Sequence, residues 1–355
     1  MRFSIIAGPR QRPDLNQSAA DAWWNHVNDA VLAEKLGYDS AFIGEHHFCF
    51  ASGNSSPFVM LSHMAARTER LRIGTSIICM PFHNPLRVAE DIAAVDIVSK
   101  GRFDFGVSVG SQFEEFETFG IPPSERFGRT SEAIDIIERC LHGGEEVFSH
   151  RGKYFNFPNV RWIIPPYQKR VPFFWGGTGE QGVRRAAERG YHLLAPDVTG
   201  NYARIMREHG RRPEDYFIGF VHQVSVGRTR EEAFQAVAEP CLWVSNVYAT
   251  RRNLDGSLPP ESARITMEQL RKAHETGSRA GFATPIAGTV EDVTERFLRI
   301  VRGEQGLITH IGIEVRPPGT KTEDVERTMR LFAQEVMPVL KAEAAKVHGA
   351  GRAIG

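Results

Sequence analysis

The chain has 355 residues, 41% of them hydrophobic and 24% charged, which is enough for a large globular core. Its 43 Lys and Arg balance 43 Asp and Glu, so bulk charge points to neither nucleic acid nor membrane as a partner. The four cysteines, Cys49, Cys79, Cys140 and Cys241, have no CxxC spacing and indicate neither a zinc knuckle nor a redox dithiol.

The first apolar stretch, 2–7, stops at Gly8 and Pro9. It is too short for a signal peptide or a membrane span and is predicted to be a strand, with the cytoplasm as the expected location. Further strands are expected at 39–44, 71–80, 102–109, 171–175, 191–195, 217–226 and 307–315. Helices are expected at 20–36, 57–68, 85–99, 126–141, 180–189, 202–209, 230–238, 290–301 and 323–340. Ser56-Pro57 and Asn84-Pro85 read as an N-cap followed by Pro at the first helical position, and Gly37, Gly101 and Gly190 as helix stops.

Strands alternating with helices argue for an α/β fold, a single (β/α)8 TIM barrel over 1–341. No G-x-G-x-x-G follows the first strand, which weighs against an open doubly wound sheet. Two stretches interrupt the pattern. Residues 145–166 read as a small hairpin, and 241–285 as an insertion after strand 7 containing a lid around 250–262. Residues 342–355 are expected to form a flexible tail.

Candidate chemistry starts at FIGEHHFC, 42–49. Side chains alternate along a strand, so Ser40, Phe42, Gly44 and His46 share one face and Ala41, Ile43, Glu45 and His47 the other. His46 and His47 therefore do not converge on one metal ion, and neither H-x-H nor H-E-x-x-H is present. Either ring can enter the C-terminal mouth of the barrel as a catalytic group, or sit at the rim as a hydrogen-bonded structural residue. GGTGEQG, 176–182, offers free N–H groups at a helix start to a phosphate, although Thr178 and Gln181 also fit a capping box. Glu114, Glu115 and Glu117 read as the solvated face of a short helix, and Arg184 and Arg185 as solvated helix residues. Phe113, Phe116, Trp175 and Trp243 are candidates for an apolar pocket or for core. The apolar residues of 57–68, Phe58, Met60, Leu61, Met64 and Ala65, suggest a helix covered in a homodimer.

Four stretches, AFIGEHHF, LRIGTSIICMPFHNPLRVAEDIAAVDIVSKGRFDFGVSVG, EEFETFGIPPSERFGRTSEAIDII and PFFWGGTGEQGVRRAAERGYHLLA, together resemble the bacterial luciferase-like family of flavin-dependent monooxygenases over nearly the full chain. The resemblance implies a barrel that holds reduced FMN at its C-terminal mouth. His46 matches the family's catalytic base, with His47 as its structural partner and no metal. A non-prolyl cis peptide is implied at Ser76–Ile77, beneath the flavin ring. Ser108 stands where luciferase has a reactive cysteine, and Val109 where it has a phosphate-contacting Arg, so Gly177, Thr178 and Gly179 are the implied phosphate contacts. Gly106 and Gly110 allow close approach of the cofactor or of neighbouring backbone.

The implied reaction is oxygenation of a small, apolar organic substrate by O2 through a flavin hydroperoxide. A separate reductase would supply the reduced FMN. Light emission is not implied. Alternatives are a deazaflavin-dependent hydride-transfer enzyme, for which no dense basic loop is evident, and a flavin-binding protein without turnover. A metal-dependent barrel hydrolase is the outsider.

Overall fold

In the computed structural model, which describes residues 1–48, 53–144, 147–249, 260–281 and 283–348, strands and helices alternate as the periodicity requires. The strands are β1 (Arg2–Ala7), β2 (Ser40–Ile43), β3 (Arg72–Thr75), β4 (Ile78–Cys79), β5 (Phe103–Ser108), β6 (Val147–Arg151) and β7 (Asn156–Arg161). They continue with β8 (Phe173–Trp175), β9 (His192–Leu193), β10 (Gly219–Val226), β11 (Ile286–Gly288) and β12 (His310–Glu314). The helices are α1 (Ala19–Leu36), α2 (Pro57–Arg67), α3 (Pro85–Val98), α4 (Phe113–Thr118), α5 (Arg126–His142) and α6 (Glu180–Arg189). Then come α7 (Asn201–Glu208), α8 (Arg230–Ala249), α9 (Met267–Thr276), α10 (Val290–Arg299), α11 (Thr322–Leu331) and α12 (Met337–His348).

Parallel pairing runs β10-β12-β1-β2-β3-β5-β8-β9, and a parallel bridge from Leu193 to Ile218 closes the ring just before β10. This is the expected barrel. The hairpin is also as expected, with β6 and β7 antiparallel. Asn84 caps α3 by accepting from the Leu86 N–H at 2.9 Å, whereas Ser56 makes no side-chain cap on α2. Phe42, Phe174 and Phe217 fill the barrel interior, and the larger apolar layer lies between strands and helices.

Several boundaries differ from the expectations. The strand at 71–80 is broken at Ser76–Ile77, and its second half pairs with β5. Within 241–285 much of the chain is helical. The apolar stripe Phe234, Val237, Cys241, Val244 and Val247 keeps a helical period straight through Pro240, and its burial against Leu270 and Ala283 offsets the break that Pro would otherwise cause. Strand β11, just after this stretch, extends β10 at Val224–Val226 and was not anticipated. Residues 250–259 of the expected lid lie outside the described residues; 261–263 form a single 3-10 turn. The expected tail is helical to His348 with Ala344 buried, and 349–355 lie outside the described residues. Among the described residues no helix is long and apolar enough to cross a membrane.

Candidate active site

The parity of β2 places the histidines. Phe42 points into the barrel, its ring 5.7 Å from Phe174 and 5.6 Å from Phe217. Ala41 and Ile43 point outward into the apolar layer. Beyond the strand, His46 keeps the parity of Phe42 and lines the cavity at the mouth, while Glu45 and His47 turn to the other side.

His46 Nδ1 lies 3.1 Å from Glu115 Oε1, and the same oxygen accepts the His47 backbone N–H at 2.8 Å. The expected short helix forms as α4, but Glu115 on it is 0% exposed and is not the solvated residue its neighbours suggested. A carboxylate that accepts Nδ1–H fixes the ring and leaves Nε2 as the nitrogen available to the cavity. The other Glu115 oxygen, Oε2, is buried without a hydrogen-bond partner.

His47 is held by Glu45. The buried Glu45 carboxylate accepts from His47 Nε2 at 3.1 Å, His83 Nε2 at 2.7 Å and the Cys79 N–H at 2.5 Å. Burial works to raise its pKa, but the hydrogen bonds and charges of the two imidazoles outweigh burial and bring it to about 2. The Glu45, His47 and His83 donor atoms lie within 4.8 Å of one another, near enough to share an ion. They already satisfy one another through hydrogen bonds, which supports reading them as a scaffold for the turn that carries His46.

The Ser76–Ile77 peptide is cis. Ile77 packs onto Gly176, where an added Cβ would meet Ile77 Cγ2 at 2.4 Å. Ser108 Oγ donates to the Gly176 carbonyl. The structure thus brings Ser76, Ile77, Ser108 and Gly177 to one place. Gly110, with φ +74°, forms the turn out of β5 against Phe116. The turn 177–179 is exposed, and Gly179 caps α6 without any side-chain acceptor, so the Thr178–Gln181 capping box does not form. First-turn N–H groups that lack a side-chain cap, beside Gly179 with open space above it, fit a phosphate. Arg185 borders a cavity of about 360 Å³ beside this turn, together with Trp175, Gln181 and Gly182.

The mouth cavity measures about 710 Å³. None of the four aromatic pocket candidates lines it. Phe116 packs on Phe82 at 4.7 Å, Trp243 lies under the Arg12 guanidinium at 4.8 Å, Trp175 borders the smaller cavity, and Phe113 is exposed. Sequence reasoning missed Arg10, Gln112, Gln223, Arg279 and Glu314 on its wall, because they come from separate loops and strand ends with no shared motif. On α2, Met60, Leu61, Met64 and Ala65 turn inward, so they do not form an exposed apolar face.

The family described as luciferase-like monooxygenase matches residues 1–304. The chain is 36% identical to 4-hydroxyprotoasukamycin monooxygenase of Streptomyces nodosus subsp. asukaensis, over 91% of this chain and 88% of that protein. Matches to two uncharacterized Sinorhizobium fredii proteins, 34% and 31% identical, span 55% and 66% of those proteins and 55% and 61% of this chain. Among solved structures, monooxygenase RslO1 from Streptomyces bottropensis superposes with a TM-score of 0.81 at 24% identity, covering 95% of this chain and 99% of that one. The oxygenating constituent of 3,6-diketocamphane monooxygenase from Pseudomonas putida, in complex with FMN, gives 0.75 at 20% identity over 95% and 98%. An F420-dependent secondary alcohol dehydrogenase gives 0.70 at 19% identity over 96% and 98%. These structures establish a shared fold.

Proposed function

Because the chain belongs to the luciferase-like monooxygenase family, we propose that it is an FMN-dependent monooxygenase acting on a small organic substrate, with reduced FMN delivered by a separate reductase. The observation that carries this reading is the pairing of His46 with the buried Glu115 at the barrel mouth. When bound, reduced FMN would supply the two electrons with which O2 gives one oxygen atom to substrate and the other to water.

The chain's own residues have separate tasks in this reading. Ser76, Ile77, Ser108 and Gly110 shape the seat for the flavin ring, and Gly177, Thr178 and Gly179 offer their N–H groups to its phosphate. His46 accepts a proton at Nε2 while Glu115 holds Nδ1–H. The mouth must exclude water for oxygen transfer to stay coupled to substrate. A homodimer belongs to the same proposal. Its apolar face would include Trp24 on α1, edge-on to His63 at 5.1 Å, and Val59 on α2, which is 67% exposed.

The test is anaerobic titration with reduced FMN, followed by mixing with O2. Tight binding and a resolved delay before oxidised flavin appears support the reading. Failure to bind reduced FMN, with binding of a deazaflavin, would move the assignment to hydride transfer.

A further inference from the structure

The wall of the mouth cavity is polar and its charges do not cancel. Arg10 forms an ion pair with Glu314, and Gln223 Nε2 donates to Glu314 Oε2 at 2.6 Å. That accounts for Glu314, which is the one carboxylate lining the cavity among the described residues. Arg279 lines the same cavity and has no hydrogen-bonded or ion-paired partner among the described residues. Its charge adds to burial in holding the His222 ring near a pKa of about 4, so the guanidinium acts on the cavity wall. Among the described residues one positive charge is left over on this wall.

A second observation concerns a neutral group. Gln112 is 7% exposed, lines the cavity, and its Oε1 is buried with no hydrogen-bond partner. Arg10 Nε is buried and unpartnered as well. Buried polar atoms are almost always paired, so an orphan acceptor and an orphan donor on one cavity wall are complementary to a ligand. A hydrocarbon chain would leave both unsatisfied and would desolvate Arg279 for nothing.

Resting on the monooxygenase reading, we propose that the substrate is a small organic anion. Its carboxylate or other anionic oxygen would be received by Arg279, and it would carry a hydroxyl or similar donor for Gln112. This replaces the apolar substrate expected from the sequence. Arg279 then sets specificity by charge, and Gln112 sets it by hydrogen bonding.

The test uses a panel of hydroxylated carboxylic acids, each paired with its methyl ester, titrated into the protein with and without FMN and read by intrinsic tryptophan fluorescence. The acids are expected to bind roughly tenfold or more tightly than their esters. Arg279→Leu should erase that preference, and Gln112→Leu should weaken hydroxylated acids more than their deoxy counterparts. Esters binding as well as acids, or no acid binding at all, would overturn the proposal. So would an Arg279→Leu protein that loses affinity for FMN but not for riboflavin, since the charge would then serve the cofactor phosphate. Acid binding that depends on Arg279 while FMN fails to bind would leave the anion site standing and remove the flavin reading instead.

Discussion

Glu115 Oε1 lies 3.1 Å from His46 Nδ1 and 2.8 Å from the His47 backbone nitrogen, so one buried carboxylate holds both the ring and the turn that carries it. If His46 is the base, His46→Ala should lower product formation by about 10² to 10⁴-fold with little change in FMN affinity. Glu115→Gln keeps an oxygen for the His47 N–H but gives up the charge, and its loss should be smaller. Steady-state turnover checks both; an unchanged rate in His46→Ala removes the ring from the chemistry.

Two glycines separate folding from cofactor binding. A Cβ on Gly106 would lie 1.9 Å from the Thr75 carbonyl oxygen, inside the barrel wall. Gly106→Ala should therefore cost about 1 to 3 kcal/mol or more, read as a lower urea midpoint. At Gly176 the clash is with a side chain, Ile77 Cγ2 at 2.4 Å. Gly176→Ala should fold and bind FMN more weakly, measured by fluorescence titration; unaltered affinity would place the flavin elsewhere.

Asp29 on α1 and Arg316 after β12 form a buried bidentate pair, with Arg316 Nε and Nη2 donating at 2.6 and 2.7 Å. Removing one partner strands the other charge out of water. Asp29→Asn should destabilise the protein by about 3 to 5 kcal/mol, whereas exposed pairs such as Arg204–Glu208 should contribute about 1 kcal/mol or less. Equilibrium unfolding of Asp29→Asn and of Glu208→Gln compares the two pairs directly.

Acid should weaken the fold well before carboxylates titrate. Burial holds the His26 pKa down at about 4 and His192 at about 3, and keeps His310 well below its ordinary 6.5. Above about pH 6.5 these rings are neutral in both states, so they add no pH dependence there. Below it the unfolded chain takes up protons that the native chain refuses, and stability falls by roughly 1.4 kcal/mol per pH unit for each ring until its folded value is reached. Glu45, at about 2 when folded and 4.5 as a free carboxyl, is ionised in both states across most of this window and contributes little to it. Urea midpoints measured from pH 7 to pH 5 should drop steeply, and a flat profile would mean that the rings are hydrated.

The barrel was legible in the sequence because hydrophobic periodicity is local: each strand or helix declares its period within a dozen residues. The parity of 40–47 likewise separated His46 from His47 before any contact was known, and family resemblance pointed to the Ser76–Ile77 bond. The role of Glu115 was not legible. In FEEFET it looks like any exposed acid, and it gains a partner 69 residues away only when the chain leaving β5 and the chain leaving β2, on either side of β3, meet at the mouth of the ring. The same holds for Arg10, Arg279, Gln112 and Glu314, which no short motif connects. Periodicity along the chain determined which elements form and which way their side chains alternate. Closure of the barrel decided which strand ends meet, and with them the charge and hydrogen-bonding character of the cavity, because those depend on distances between residues far apart in sequence.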